Sequence, residues 1–349
     1  MSKKMDRREF MKKSSAAVFG TGLALKSGIK LGANTPQESR IVEVIHPQAV
    51  VAERKVDASI VKRMLQEGMK VFTGSRQPWE NFIKPSDVVG LKINTLGRPL
   101  LFTHHELIRA VSEELIAFGV RENNIIVWDR WKNHMRDCHF EFNTTDRGIR
   151  CYATQARSGE EDLNDYEKIF KSDFDNPKQR EDGRTESYFS KIFTQHCDKI
   201  INMAILKDHG LAGVTLCLKN LAYGLCNNNR RFHGSKHIGT FISDFCAIPQ
   251  VREKVILHMI DGLEACYDQG PCPRNPKVIY SQNTLWIGTD PVALDTIGLN
   301  VINAKRRKEG LPSLEETRRP ADHIELAAKK GLGVNDLTRI KVLKKLMKD

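Results

Sequence analysis

The segment Val88–Asn94 reads VVGLKIN, a short run dominated by β-branched and other apolar residues. Such a run is typical of a buried strand in a parallel sheet. Thr103 is a suitable N-cap for the helix that we expect next, and Gly119 is suited to end it. Apolar side chains follow at helical spacing at Leu107, Ala110, Val111, Leu115 and Phe118. A second strand, Ile125–Trp128, ends at Asp129, so the segment predicts a right-handed strand–helix–strand unit.

The alternation of strands and helices resumes further along the chain. We expect strands at Lys199–Ile205, Val255–Ile260 and Leu285–Gly288. The other expected elements are helices at Ala212–Leu225, at Val292 to about Lys308 and after Ala321, and a short strand at Ile340–Leu343. This order of elements predicts an α/β fold with a mostly parallel sheet and flanking helices.

The organisation of the chain follows from these elements. The α/β domain is expected at residues 85–340, with a polar insertion around 131–190 that is rich in Asp, Glu, Arg and Asn. Residues 34–84 are expected to form a lead-in, and residues 341–349 a basic tail.

Polar or ionisable residues follow all five of the clearest predicted strands. They are Lys92 and Asn94 after the first strand, Asp129 after the second, Lys207, Asp208 and His209 after the third, Asp261 after the fourth and Asp290 after the fifth. Ligands of open α/β sheets bind beyond the carboxyl ends of the strands, so we expect these residues to share one site. The alternative is that loops generally begin with polar residues and that Asp290 only caps the next helix.

The densest group is the expected loop Lys207-Asp208-His209-Gly210, followed by Thr215 and Lys219-Asn220. A lysine near a histidine can supply an anion-binding cation and a general base. A nearby helix N-terminus would favour a carboxylate or phosphate. The candidates for catalysis are Lys207, His209, Lys219, Asp129 and Asp261. The candidates for substrate binding are Lys92, Asn94, Thr215, Asn220 and Asp290.

His233 and His237 are four residues apart and would share a face if they lay on a helix, where they could bind a divalent metal. Gly234 and Ser235 between them are poor helix formers. Cys226 and Asp244 could complete such a site only through folding, and most histidines bind no metal.

The chain has eight cysteines and no CxxC motif, which gives no thioredoxin-like redox motif or regular cluster spacing. Cys266 and Cys272 enclose a Gly-Pro turn and are the pair that we would most expect to form a disulfide. Buried free thiols are the alternative, since cysteine is often a core residue.

Residues 1–33 resemble a bacterial twin-arginine export signal. Arg7 and Arg8 precede Phe10, Met11 and Lys12, and the weakly apolar run Ala16–Leu25 follows. That run has the length of a signal-peptide core and is too short to span a membrane. The resemblance implies the translocation machinery as a partner and a periplasmic or other extracytoplasmic location. The alternative is a basic N-terminal helix.

The net charge of the chain is +12, and residues 1–33 supply six of these charges through eight Lys or Arg and two Asp or Glu. The rest of the chain shows no long Lys/Arg stripe interleaved with aromatic residues, so we do not expect nucleic-acid binding. No run approaches the roughly 18 consecutive apolar residues of a membrane-spanning helix.

The mature part of the chain is similar to the domain-of-unknown-function 362 family. The resemblance rests on Val88–Asn94, His105–Asp129, Ile201–Gly224 (INMAILKDHGLAGVTLCLKNLAYG), Asp261-Gly262, Ile287–Leu294 (IGTDPVAL) with Asp295, and Gly331-Leu332-Gly333. It implies the fold and the region of interest, and it leaves the reaction open because the family has no general assignment. Some relatives carry ferredoxin-like iron–sulfur segments, but this chain has no such cysteine run.

Three functions are compatible with these observations. The first is an exported enzyme that acts on a small anionic molecule through a Lys/His/Asp site, with an aspartate orienting the histidine or holding a divalent cation. The second is a metal- or iron–sulfur-associated redox accessory protein. The third is a non-catalytic binding protein for a small periplasmic solute.

Overall fold

The computed structural model describes residues 38–155, 166–171, 180, 183–233 and 237–348. The predicted export segment, residues 1–33, lies outside the described residues, and so does most of 156–182 within the predicted polar insertion. No helix in the described ranges combines the length and the apolar character that a membrane crossing requires.

The described residues form thirteen strands and eight α-helices. The strands are β1 Ser39–Ile45, β2 Val50–Val51, β3 Lys55–Val56, β4 Val89–Lys92, β5 Ile125–Trp131, β6 Arg150–Gln155, β7 Tyr166–Lys171, β8 Glu186–Ser190, β9 Lys199–His209, β10 Gly213–Val214, β11 Val255–Cys266, β12 Ile279–Gly288 and β13 Ile340–Leu346. The helices are α1 Ala58–Thr73, α2 His105–Phe118, α3 Lys132–Asp137, α4 Leu216–Gly224, α5 Ile238–Cys246, α6 Pro249–Lys254, α7 Pro291–Lys308 and α8 Asp322–Lys329.

The central sheet has the order β13-β1-β12-β11-β9-β4-β5-β6, and β10 pairs with β9 beside this path. The strands β11, β9, β4, β5 and β6 are parallel to one another, and β1 is parallel to β13. The strand β12 runs antiparallel to both β1 and β11. The predicted α/β fold with a mostly parallel sheet is therefore confirmed.

Helices cover both faces of this sheet. The side chains of α1 and α2 pack against apolar residues of β1, β4, β5 and β9 on one face. The helices α4, α5, α7 and α8 pack on the other face. Alternate residues of β4 serve the two faces, because successive side chains of a strand point to opposite sides. Val89 and Leu91 belong to the core that packs against α1 and α2. Lys92 lies on the opposite face of the sheet, where it contacts Asn220 of α4.

Both ends of the described chain contribute to the sheet. Strand β1 comes from the predicted lead-in, yet it lies between β12 and β13. Strand β13 extends through most of the predicted basic tail and pairs with β1 from Ser39↔Ile340 to Ile45↔Leu346. The sequence did not reveal this pairing, because strand order depends on contacts between distant segments.

Three local predictions were wrong. The N-cap of α2 is His104 rather than Thr103, whose hydroxyl donates to Met203 O (2.9 Å) and accepts from Asn94 N (2.9 Å). The predicted loop at Lys207–His209 is instead the end of strand β9. The chain then turns back, and the short strand β10 pairs antiparallel with the end of β9. The following helix begins at Leu216 rather than Ala212, because β10 occupies the intervening residues.

Candidate functional site

A buried ion pair joins the ends of two neighbouring parallel strands. Lys92 Nζ, at the end of β4, donates to Asp129 Oδ1 of β5 over 2.7 Å. The other oxygen of Asp129 accepts from the backbone and the hydroxyl of Thr95 at 2.8 and 2.7 Å. Burial acts to raise the pKa of Asp129, but Lys92 and these hydrogen bonds outweigh it and lower the pKa. The carboxylate is therefore ionised and fully engaged.

Asparagine side chains extend this pair into a buried network. Asn220 Oδ1 on α4 accepts from Asn94 Nδ2 at 2.9 Å and from Lys92 Nζ at 3.4 Å. Asn94 Oδ1 in turn accepts from Lys207 Nζ at 2.7 Å. Asn220 Nδ2 donates to Asn202 Oδ1 in β9 at 2.8 Å. The structure thus brings together five predicted site residues, Lys92, Asn94, Asp129, Lys207 and Asn220.

Gly224 provides the space for this network at the end of α4. A Cβ atom on Gly224 would overlap Cε and Nζ of Lys92. Only a residue without a side chain fits here, so the close approach of α4 to β4 depends on this glycine.

Two further lysines are buried without a carboxylate partner. Lys207 keeps only the amide oxygen of Asn94 as an acceptor within the described ranges. Burial outweighs the charges of Asp129 and Asp208 and lowers its pKa to about 8. Lys219 Nζ on α4 lies 3.9 Å from the centre of the Tyr223 ring. No oxygen atom of the described residues accepts a hydrogen bond from it. Burial and the positive charge of Lys207 lower the pKa of Lys219 to about 7.

His209 is held by the backbone and not by an aspartate. Its Nδ1 accepts hydrogen bonds from Leu211 N at 3.0 Å and Ala212 N at 3.1 Å. Burial and the neighbouring charge of Lys219 lower the pKa of His209 well below its ordinary value. The neutral ring therefore carries its proton on Nε2, which makes Nε2 a donor.

Several buried polar atoms around these side chains have unused hydrogen-bonding capacity. Thr215 Oγ1, the Tyr223 hydroxyl and both ring nitrogens of His323 have no hydrogen-bond partner in the described part of the chain. Burial and the charge of Lys219 lower the pKa of His323 to about 3. Such atoms are costly in a closed core, because a buried polar group without a partner loses its hydration.

A surface depression of about 190 Å³ lies next to this group. His323 lines it together with Leu211, Ala212, Ile238, Gly239, Pro320 and Asp322. The charge of Lys219 acts on both His209 and His323 and lowers the pKa of each. None of Lys207, His209 and Lys219 lines the depression, and each of these side chains is buried.

Asp261 belongs to a separate network. It accepts from His104 N and His104 Nδ1, at 2.8 and 2.9 Å, while His104 Nε2 lies 3.3 Å from Glu264. Burial alone would lower the pKa of His104, but Asp261 and Glu264 outweigh it and raise the pKa to about 10. Arg54 also pairs with Glu264. Asp261 therefore neutralises His104 and makes no hydrogen bond or ion pair with the three buried lysines or His209.

The prediction that Asp290 shares the same edge was wrong. It assumed that the strand before Asp290 is parallel to the others, whereas β12 is antiparallel and ends beside the start of β11, with Gly288 opposite His258. Asp290 instead caps α7 by accepting from Ala293 N (2.9 Å) and also accepts from Val334 N (2.9 Å). The helix-cap alternative accounts for this residue.

Both carboxyl oxygens of Asp208 are also engaged by other residues of the protein. Its Oδ1 accepts from Gly270 N at 2.7 Å, and its Oδ2 pairs with Arg319 at 3.1 Å. Burial raises its pKa to about 6.

The expected metal pair does not form on one helix. His233 follows a short 3₁₀ turn, and His237 precedes α5 as its N-cap. The His233 ring instead packs against Tyr223 (4.4 Å between centroids) and His209 (6.0 Å). In the described ranges, no three His, Cys, Asp or Glu side chains converge as a metal-binding group.

The predicted disulfide between Cys266 and Cys272 is not formed in the structure. All eight cysteines are free thiols, and all except Cys272 are buried. Cys266 Sγ donates to Asp268 O at 2.8 Å, and Cys272 Sγ to Leu96 O at 3.0 Å. The alternative of buried thiols fits the structure.

Four residues of the site were missed by the sequence analysis: Thr95, Asn202, Tyr223 and His323. Asn202 carried a usable signal, because it is a polar residue inside the apolar strand INMAIL. Tyr223 lies four residues after Lys219 and so shares its helical face. His323 is more than 100 residues away in the chain and offers no local signal.

One aspartate positions the helix that carries Lys219 and Asn220. Asp295 on α7 accepts from Cys217 N at 2.7 Å and from Leu218 N at 3.0 Å, at the N-terminus of α4. The two aspartates of the segment GTDPVALD thus have different roles, since Asp290 caps its own helix and Asp295 caps α4.

A family model for a domain of unknown function (DUF362) matches residues 89–300. These residues include most strands of the sheet and all of the buried lysines and asparagines described above. The chain belongs to the DUF362 family. No curated protein matches it. The matched region of this DUF362 chain includes Lys92, Asp129, Lys207 and Lys219, whereas β1, β13 and His323 lie beyond it.

Proposed function

We propose that this protein is an enzyme that binds a small anionic substrate at the group formed by Lys207, His209 and Lys219. The observation that carries the proposal is the burial of two lysine side chains without a carboxylate partner among the described residues. Burial of an ammonium group is expensive unless an opposite charge compensates it. A carboxylate or phosphate of the substrate would supply that charge.

The surrounding residues fit this role. The Nε2–H of His209 and the hydroxyls of Thr215 and Tyr223 can donate to substrate oxygens. Lys207 keeps two N–H groups beyond the one that Asn94 accepts. The Lys92–Asp129 pair and Asn220 hold the network in place.

Two members of the group, Lys219 and His209, suit proton transfer. Lys219 has a pKa of about 7, so it can both accept and release a proton near neutral pH. His209 is neutral and donates from Nε2, so it can stabilise a developing negative charge on oxygen. Anion binding and acid–base chemistry are therefore available in one place.

Thermal unfolding in the presence of small carboxylates and phosphorylated compounds tests the proposal. A ligand at one hundred times its Kd stabilises a protein by about 2.7 kcal/mol. We expect at least one anion to raise the Tm of the wild type, and we expect Lys207→Met and Lys219→Met to remove that response. The exposed Lys341→Met is the matched control. An unchanged response in both buried-lysine variants would refute the anion site.

Turnover separates an enzyme from a solute-binding protein. The anion that stabilises the protein is incubated with it, and products are followed by mass spectrometry. Conversion that Lys219→Met abolishes supports catalysis. Tight binding with no conversion would contradict the catalytic part and favour a binding protein.

We also propose export of the chain by the twin-arginine route. The support is the segment 1–33, with Arg7-Arg8 before Phe10 and Lys12. Replacing both arginines by lysine preserves the charge, and we expect the full-length chain to remain in the cytoplasm. Unchanged release to the periplasm in cell fractionation would overturn this proposal.

A further inference from the structure

Lys219 differs from the other two buried lysines in its surroundings. Lys92 donates to a carboxylate, and Lys207 donates to an amide oxygen. The contact of Lys219 within the described residues is with the face of the Tyr223 ring. Its nitrogen thus has no oxygen acceptor among the described residues to stabilise the protonated form.

We propose that Lys219 forms an imine with the carbonyl carbon of a small oxo acid. This inference rests on the proposed anion site and names the class of its substrate. The carboxylate of the oxo acid would pair with Lys207, and its carbonyl group would meet Lys219. The group around Lys219 supplies both requirements, a cation for the acid and a nucleophile for the carbonyl.

The bond changes of this step balance without an oxidant or reductant. The Nζ lone pair of Lys219 forms a bond to the carbonyl carbon and gives a carbinolamine. The carbon–oxygen bond then breaks, and the oxygen leaves as one water molecule with the two hydrogens of the amine. A carbon–nitrogen double bond remains, and protonation of this imine makes an electron sink for subsequent chemistry.

The neighbouring groups support each part of this step. The pKa of Lys219, about 7, leaves a large fraction of the amine unprotonated at neutral pH, because burial and Lys207 both disfavour its charge. The Tyr223 hydroxyl has no hydrogen-bond partner among the described residues, so it is available to protonate the departing oxygen. His209 offers Nε2–H as a second donor.

Reductive trapping tests the inference on the full chain. The wild type is treated with glyoxylate or pyruvate and borohydride at pH 7, and the modified lysines are located by peptide mass mapping. We expect the reduced adduct on Lys219, formed at least about tenfold faster than on the exposed Lys341, because a lysine of ordinary pKa has about a thousandfold less free amine at this pH. Equal labelling of exposed lysines, or no adduct on Lys219, would overturn the imine.

Variants and a saturated acid separate this result from failure of the anion site. Lys219→Arg keeps a cation and cannot form an imine, so we expect no adduct at the site. Lys219→Met serves the same purpose should the larger arginine prevent folding. Propanoate, which has no carbonyl group, tests anion binding through the Tm. A Tm response to propanoate and pyruvate without an adduct refutes the imine and leaves the anion site standing. No response to either acid together with no adduct refutes the imine and counts against the anion site.

Discussion

Lys92 and Lys219 are both buried, but their different partners give their amino groups different properties. Lys92 is fixed by Asp129 at 2.7 Å, and this pair serves as a rigid part of the network. Lys219 lies on a tyrosine ring, and burial depresses its pKa to about 7. We therefore assign a supporting role to Lys92 and, under the proposed function, a reactive role to Lys219.

Lys219→Met should stabilise the protein while abolishing anion binding. The pKa of Lys219 is about 7 in the folded protein and about 10.5 when the chain is unfolded. The unfolded state therefore binds a proton between these values that the folded state does not, and the lysine costs more stability as the pH falls from 10.5 to 7. We expect a gain of about 2–4 kcal/mol at pH 6 and little gain above pH 10.5, because each unit of pKa shift corresponds to about 1.4 kcal/mol. Urea unfolding of the wild type and the variant at pH 6 and pH 10 measures this gain in stability. An equal gain at both pH values would contradict the lowered pKa of Lys219 as its cause.

Asp129→Asn should be strongly destabilising. It leaves the buried ammonium of Lys92 without its counter-ion, which costs about 3–5 kcal/mol in comparable cases. The double variant Lys92→Met/Asp129→Leu removes both charges and should recover most of this loss. Denaturant unfolding of the single and double variants checks the expectation, and a double variant as unstable as Asp129→Asn would show that packing, not charge, dominates here.

The element that positions the site is α4, which carries both Lys219 and Asn220. Its N-terminal amides are satisfied by Asp295 from α7, and its last residue, Gly224, lets Lys92 approach. The orientation of α4 is thus fixed from outside at both ends. A substitution that breaks either contact should shift α4 and so disturb the site, although neither contact involves a ligand.

Asp295→Asn should weaken anion binding, whereas Asp290→Asn should not. Both changes weaken a helix cap, and loss of a cap costs about 0.5–2 kcal/mol of stability. Only Asp295 holds the helix of Lys219 and Asn220, since Asp290 lies at the opposite edge of the sheet. Calorimetric titration of the folded variants with the stabilising anion measures the difference. Equal affinities for the two variants would argue against the positioning role of Asp295.

At the scale of the whole molecule, the sheet is closed by segments from both ends of the described chain. Strand β1 lies between β12 and β13, although β1 and β13 are about 300 residues apart in sequence. Such non-local pairing means that the region matched by the family model lacks two strands of the sheet. The fold depends on these strands for the burial of Val42, Val44 and Ile287.

A chain that begins at Pro85 should fail to fold. It lacks β1 and α1, so it exposes the apolar face of β12 and leaves β13 without its partner. A chain that begins at Asn34 retains every described element and is the matched control. Circular dichroism and thermal unfolding check this, and a cooperative transition of the shorter chain would contradict it.

The sequence predicted much of this molecule because each buried parallel strand has a local sequence pattern that can be recognised. Short β-branched runs located β4, β5, β9 and β11, and the residues at their ends identified Lys92, Asp129 and Lys207. Strand direction leaves no such pattern, so Asp290 was assigned to the wrong edge. Pairing across long distances leaves none either, which is why the roles of β1 and His323 became visible only in the folded chain.

The central claim is that Lys207 and Lys219 together hold an anion. The most direct measurement is an anomalous difference map from crystals of the protein soaked in selenate, recorded at the selenium absorption edge. We expect a selenium peak beside Nζ of Lys207 and Nζ of Lys219, and we expect it to be absent in Lys219→Met crystals. Peaks confined to exposed lysines, with none at this pair, would contradict it.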